Sequence, residues 1–395
     1  MKQLPCQPFC GDVRQPCGRP RFRQSRRAKT GESGHAYSNR GSERERERET
    51  DTFRVSTLVL MAALGAVVLP WAGLAQGGEL QWEASTAMGT ARTTPGVTVG
   101  SDGAIYAIGG EGTNPKYAVA TAEKWLKGDA SWQPIASMSV LRTLTAAVTD
   151  AQGHVWAIGG QAHPDIWDTV EIYDPGLNQW TSGPSMNEAR CHHGAVRAPD
   201  GSIYVFGGRD SSAATNSVEK YDLNAAQWTY VASMNEARIA PSFALDSQGF
   251  IYAIGGASFP VQSPLATVER YNPSDPNAGW KYVASLPSAI GYGAAFEYDG
   301  EIWLVGGNSQ SSYWSSACYI YSPDTDSWRS GPEMYEIVAL AGAVVSQSGL
   351  PYLVGGERGG GSIASDHVSV LTPEPATLSL LAVGIGTLLV RRRRG

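Results

Sequence analysis

Between residues 79 and 372 the chain alternates apolar and polar positions in short runs, broken every few residues by glycine, aspartate or asparagine. Over residues 190–232 the alternation predicts four strands, at 194–198, 202–206, 217–221 and around Trp228. The first two meet at Asp200-Gly201, where glycine tolerates the positive φ of a tight hairpin. The same turn recurs as Asp102-Gly103, Gln152-Gly153, Gln248-Gly249, Asp299-Gly300 and Ser348-Gly349. No part of this region has helical periodicity, so an all-β domain is expected.

The pattern is periodic over a longer distance. Glycine doublets begin at Gly109, Gly159, Gly207, Gly255, Gly306 and Gly355, and tryptophans recur at Trp82, Trp132, Trp180, Trp228, Trp280 and Trp328. Two residue classes sharing a period of about 50 residues define a repeat. Four short antiparallel strands per repeat arrange radially as propeller blades. The doublet, the Val170-Glu171-x-Tyr173-Asp174 step and the tryptophan resemble the kelch repeat, which implies a six-bladed kelch β-propeller over residues 79–372. The fifth and sixth units depart from it, with Tyr319 and Ser369 where four others carry Glu123, Glu171, Glu219 and Glu269. The last repeat lacks a fourth strand of its own. The segment 80–84 around Trp82 is expected to supply it and join the two ends of the domain.

The flanking segments read differently. Residues 1–54 carry 13 Lys/Arg against 7 Asp/Glu and almost no apolar periodicity. They are expected to be a disordered basic extension or sequence upstream of the true start codon. Residues 55–75 follow with a nearly charge-free apolar run ending in Gly73-Leu74-Ala75, the pattern of a cleaved signal peptide. At the other end, Pro373-Glu374-Pro375 precedes an apolar run from 376 to 390 and then Arg391, Arg392, Arg393 and Arg394. Fifteen helical residues span only about 22 Å, short of the roughly 30 Å hydrocarbon core. The segment 373–395 resembles a PEP-CTERM sorting signal, with Thr372 in place of the usual valine. That resemblance implies export across the inner membrane of a Gram-negative bacterium and transient anchoring by the C-terminal helix. A transpeptidase-like sorting protease then releases the protein to the cell surface or extracellular matrix.

Charge and cysteine content narrow the function classes. Residues 55–372 hold 14 Lys/Arg against 29 Asp/Glu, an acidic body that argues against nucleic-acid binding. Only Cys191 and Cys318 fall within the repeats, in different units, so no disulfide framework is expected.

The candidate binding surface is the face that carries the segments after the glycine doublets and the segments entering each repeat. The entering segments hold Arg92, Arg142, Arg190 and Arg238, replaced in the last two repeats by Ile290 and Val338 with Tyr292 and Tyr335 nearby. Two readings of the arginines are open: a cationic ring for anions, or internal pairing with acids such as Glu171 and Glu219. The loops after the doublets add Tyr117, Trp167, Phe259, Tyr313 and Trp314, aromatics suited to sugar rings or peptides or to packing between blades. Kelch resemblance implies a protein partner at this mouth, and the sorting tail points equally to polysaccharide.

Enzymatic readings are fewer. A sugar-acid mutarotase of the sialate-epimerase kind would need carboxylate-holding arginines beside an acid or base, for which Glu188, Arg190, His192, Glu236 and Arg238 are the candidates. Their arrangement as Asn-Glu-Ala-Arg in two consecutive repeats looks like repeat consensus rather than a unique site. Cys191-His192-His193 alternates faces on a strand and does not gather ligands. Asp324 and Asp326 hint at calcium but occupy a turn that other repeats also fill with Asp or Asn. Copper chemistry of the galactose-oxidase kind would need a wider Tyr and His constellation. No metal or cofactor is expected.

Overall fold

A computed structural model describes residues 79–113, 117–309, 314–336, 338–358 and 363–374. These lie in one compact unit, Gly73–Gly395. The proposed signal peptide, the basic extension and the tail from Pro375 through Arg394 fall outside the described residues. Among the described residues no helix is long and apolar enough to cross a membrane.

The described chain is a six-bladed β-propeller with one short 3-10 turn, Pro276–Ala278. Blade 1 is Gly96–Val99, Ile105–Ile108, Ala122–Trp125 and Gln133–Ile135, and blade 2 is Ala146–Thr149, Val155–Ile158, Val170–Asp174 and Gln179–Ser182. Blade 3 is Gly194–Arg197, Ile203–Phe206, Val218–Asp222 and Gln227–Val231, within two residues of the pattern read from the sequence. Blade 4 is Ser242–Leu245, Ile251–Ile254, Val268–Tyr271 and Lys281–Val283, and blade 5 is Ala294–Tyr298, Glu301–Val305, Cys318–Ser322 and Ser327–Ser330. Each is antiparallel, with strands in sequence order.

Blade 6 takes Gly342–Val345, Pro351–Val354 and Val368–Pro373 from one end of the domain and Leu80–Ala84 from the other. Trp82 lies opposite Leu371, and Leu80 opposite Pro373. The Glu374 amide then donates to the Glu79 carbonyl at 2.8 Å. The last strand therefore runs through Pro373 into the first residues of the tail motif, rather than stopping at 372.

The blades pack through six hydrophobic clusters, one for each junction between neighbours. The junction of blades 6 and 1 sets Tyr352, Val354 and Val368 against Ile105, Ala107 and Trp125. The junction of blades 2 and 3 sets Trp156 and Ile158 against Ile203, Val205 and Trp228. The recurring tryptophans also tie neighbours by hydrogen bonds. Indole N–H groups of Trp132, Trp180, Trp228, Trp280 and Trp328 donate to Thr86, Ala136, Pro184, Ala232 and Ala284 carbonyls at 2.7–2.9 Å.

First strands neighbour one another around the ring and line a central channel. One end of the channel meets the glycine doublets and the segments entering each blade. The hairpin turns between first and second strands surround the other end.

Candidate functional site

The four arginines expected at the doublet face are fully buried, each at 0% exposure. Each guanidinium turns into its own blade. Arg92 Nη1 donates to the carbonyls of Gly109 and Thr121 at 2.8 and 2.9 Å, and its Nη2 to Glu123 at 2.8 Å. Arg142 repeats this with Gly159, Thr169 and Glu171, and Arg190 with Gly207, Ser217 and Glu219. Arg238 repeats it with Gly255, Thr267 and Glu269. The glutamates also accept backbone N–H groups from the segment that delivers the arginine: on Glu219, Asn187 donates to Oε2 and Glu188 to the Oε1 that also accepts Arg190.

The cationic ring is thus corrected to the pairing alternative. Burying a guanidinium is costly, and here a carboxylate and two carbonyls offset that cost. Burial pulls the Arg92 and Arg142 pKa values down, while Glu123 and Glu171 draw them back up. The doublets belong to the same device. A Cβ on Gly255 would stand 2.2 Å from the Ile290 carbonyl, at a φ of +57°, so only glycine lets the entering segment pass this close.

Above the first strands, one residue per blade adopts a left-handed conformation without being glycine: Thr94, Leu144, His192, Ala240, Tyr292 and Leu340. Their backbones link blade to blade. Ala240 N–H donates to His192 at 2.8 Å, Tyr292 to Ala240 at 3.3 Å, Leu340 to Tyr292 at 3.1 Å and Thr94 to Leu340 at 2.9 Å. His192 N–H donates to Leu144 at 3.3 Å, and the hydroxyls of Thr94 and Thr143 meet at 2.6 Å. This collar frames a cavity of about 110 Å³ at the mouth. Tyr292 reaches it and packs edge-on to His192, with ring centroids 5.9 Å apart.

The other expected mouth residues separate. Tyr335 is exposed, and its hydroxyl lies 3.3 Å from Ser369 Oγ. Trp167 is half-buried, its indole N–H donating to the Leu141 carbonyl at 3.3 Å. Trp314 is buried, a correction to its place among exposed aromatics. Tyr313 lies outside the described residues.

The sequence reading missed Arg209, the residue following the third doublet. Its Nη2 donates to Gln161 Oε1 at 3.2 Å, and its guanidinium lies 5.3 Å from the Phe259 ring centre. Its signal was available, since the same slot holds Glu111, Gln161, Ala257, Asn308 and Glu357 in the other repeats.

The candidate catalytic set does not converge. Glu188 accepts Arg190 Nη2 at 2.9 Å and Ser217 Oγ at 2.6 Å; Glu236 is held likewise by Arg238 and Thr267. The two blades repeat one arrangement, and the arginines have no exposed surface with which to grip a carboxylate. His192 sits in the collar, its pKa pushed down to about 3 by burial and by Arg209. Burial pushes the neighbouring Cys191 thiol up to about 11. Asp326 accepts the Ala284 N–H at 2.7 Å and the Tyr321 hydroxyl at 2.8 Å, the role Asn178 plays in blade 2. Among the described residues no group of three or more His, Cys, Asp or Glu could hold a metal ion.

Three segments, residues 144–187, 190–235 and 292–335, match the Kelch motif. A Kelch domain-containing protein of Sulfurisphaera tokodaii is 30% identical over 77 residues, a match covering 20% of this chain and 11% of that protein's length. The solved structure titled "Structure of YjhT" aligns at TM-score 0.62 and 16% identity, covering 74% of this chain and 97% of that one. That likeness is one of fold. The chain is a six-bladed β-propeller carrying Kelch motifs.

Proposed function

We propose that this propeller is an exported, non-catalytic binding or scaffolding module that engages a protein or polysaccharide through its doublet face. The observation that carries the reading is the apolar surface on the loops there. Tyr117, Leu141, Val261, Tyr335 and Ile363 are all exposed, Val261 to 78% and Tyr117 to 70%, around a mouth whose arginines are committed internally. Apolar and aromatic groups ringed by polar loops suit sugar faces or peptide side chains. Kelch propellers commonly bind proteins, in keeping with a protein partner. Export to the cell surface or matrix rests on the segments 55–75 and 373–395, with the sorting protease acting on the latter.

Two experiments test the reading. Glycan arrays and binding assays with isolated surface proteins should yield a saturable ligand for the full-length chain. Proton NMR of sialic-acid anomer exchange separates the mutarotase alternative, and no acceleration above buffer is expected. Acceleration that disappears on replacing Glu188 would favour the enzyme instead.

A further inference from the structure

At the end away from the doublets the channel forms an open well of about 600 Å³. The cavities at and below the collar measure only about 110 and 130 Å³. The wall of the well mixes apolar side chains, Val97, Val99, Ala147, Ala195, Leu245 and Val345, with the polar Thr98, Ser101, Thr149 and Gln347. The charged lining residues are Asp150 and Arg197.

Asp150 is already engaged. Its carboxylate accepts the amides of Gln152 and His154 and the Trp156 indole N–H, each at 2.9 Å. Arg197 differs. It is exposed at the end of the first strand of blade 3, and its guanidinium makes no hydrogen bond, ion pair or ring contact among the described residues. Repeat consensus does not explain it either. The same strand position holds Val99, Thr149, Leu245, Glu297 and Val345 in the other blades.

We propose that this well is a binding site for a small monocarboxylic acid with an apolar body. The carboxylate lies on the Arg197 guanidinium, whose planar fork matches it in two-point geometry. The apolar body lies against Val97, Val99, Leu245 and Val345. A volume of about 600 Å³ falls within the roughly 300–1,000 Å³ of small-molecule sites. Arg197 offers a single guanidinium and the lining also holds the Asp150 carboxylate, so a monoanion suits the site better than a phosphate dianion. The proposal concerns the opposite face from the mouth and stands whether or not the doublet face binds a macromolecule.

The test uses hexanoate and hexanol as probes on the full-length chain, by calorimetry and by amide chemical shifts. Hexanoate should saturate, shift amides of residues 97–101 and 147–151, and bind more weakly as salt rises. Arg197→Gln should weaken hexanoate by about tenfold or more and leave hexanol unchanged. Arg197→Lys should retain part of the affinity. The side chain is exposed, so neither variant should alter the melting temperature. Equal hexanoate affinity in the wild type and Arg197→Gln, or shifts confined to the collar, would overturn the site. A tripeptide with a free C-terminal carboxylate that binds more tightly than hexanoate would overturn the small-acid assignment.

Discussion

Each buried arginine is half of a unit that the sequence carries in two places about 30 residues apart. Four repeats hold both the arginine and the strand glutamate, while the fifth and sixth lack both, having Ile290 with Tyr319 and Val338 with Ser369. That joint presence and loss is the signature of pairing and was readable in the sequence. The packing that closes over the side chains was not. The unit has an energetic consequence. Glu123 is the carboxylate facing Arg92, whereas Arg190 has Glu188 as well as Glu219. Glu123→Gln should therefore cost about 3–5 kcal/mol in urea denaturation, by leaving a buried charge without its partner. Glu219→Gln should cost measurably less. Equal losses would contradict the backup role of Glu188.

His193 supplies a pH dependence. It is buried, and its pKa is pushed down to about 3 by burial, then by Arg190 and His192, with Arg142 adding to the effect. In the unfolded chain it titrates near 6.5. Above that pH both states are neutral and its contribution is fully present. As pH falls below about 6.5 the unfolded chain takes up a proton that the folded one refuses. Stability then drops by roughly 1.4 kcal/mol per pH unit until about pH 3. Urea midpoints at pH 7.5, 5.5 and 4.5 should show a shallower decline for His193→Gln than for the wild type. Parallel declines would remove His193 as the cause.

At the scale of elements, turns and doublets were legible because their conformations demand glycine. The collar was not, because its six left-handed residues share no chemical type. Short ladders over the mouth, such as Gln161–Ala162 with Asp165–Ile166, also escaped notice, being too short to show a period. The strand around Trp82 carries the ring's closure. Its indole packs against Phe296 with ring centroids 6.2 Å apart, in the cluster joining blades 5 and 6. Trp82→Ala should cost about 3–5 kcal/mol by emptying that site. Deleting residues 79–85 should cost more, since the ladder to Val368–Pro373 is lost as well. Thermal denaturation checks both, and an unchanged melting temperature for the deletion would show that the ring does not depend on this strand.

At the scale of the molecule, the two ends of the channel have different chemistry. The doublet face presents apolar loops around a narrow collar, and the turn face presents a well of mixed lining with the exposed Arg197 guanidinium at its lip. Repeat period and strand count gave away the propeller. The character of each face depended on which side chains are spent internally, and a linear pattern conceals that until the blades are assembled. The proposed binding role rests on the doublet face. It is tested most directly by a binding isotherm for an isolated surface polysaccharide or protein ligand, comparing the wild type with Tyr117→Ser/Val261→Ser/Tyr335→Ser. The expected result is saturable binding by the wild type and a loss of about tenfold or more in the triple variant, at an unchanged melting temperature. Undiminished binding by the triple variant would contradict a binding function on that face.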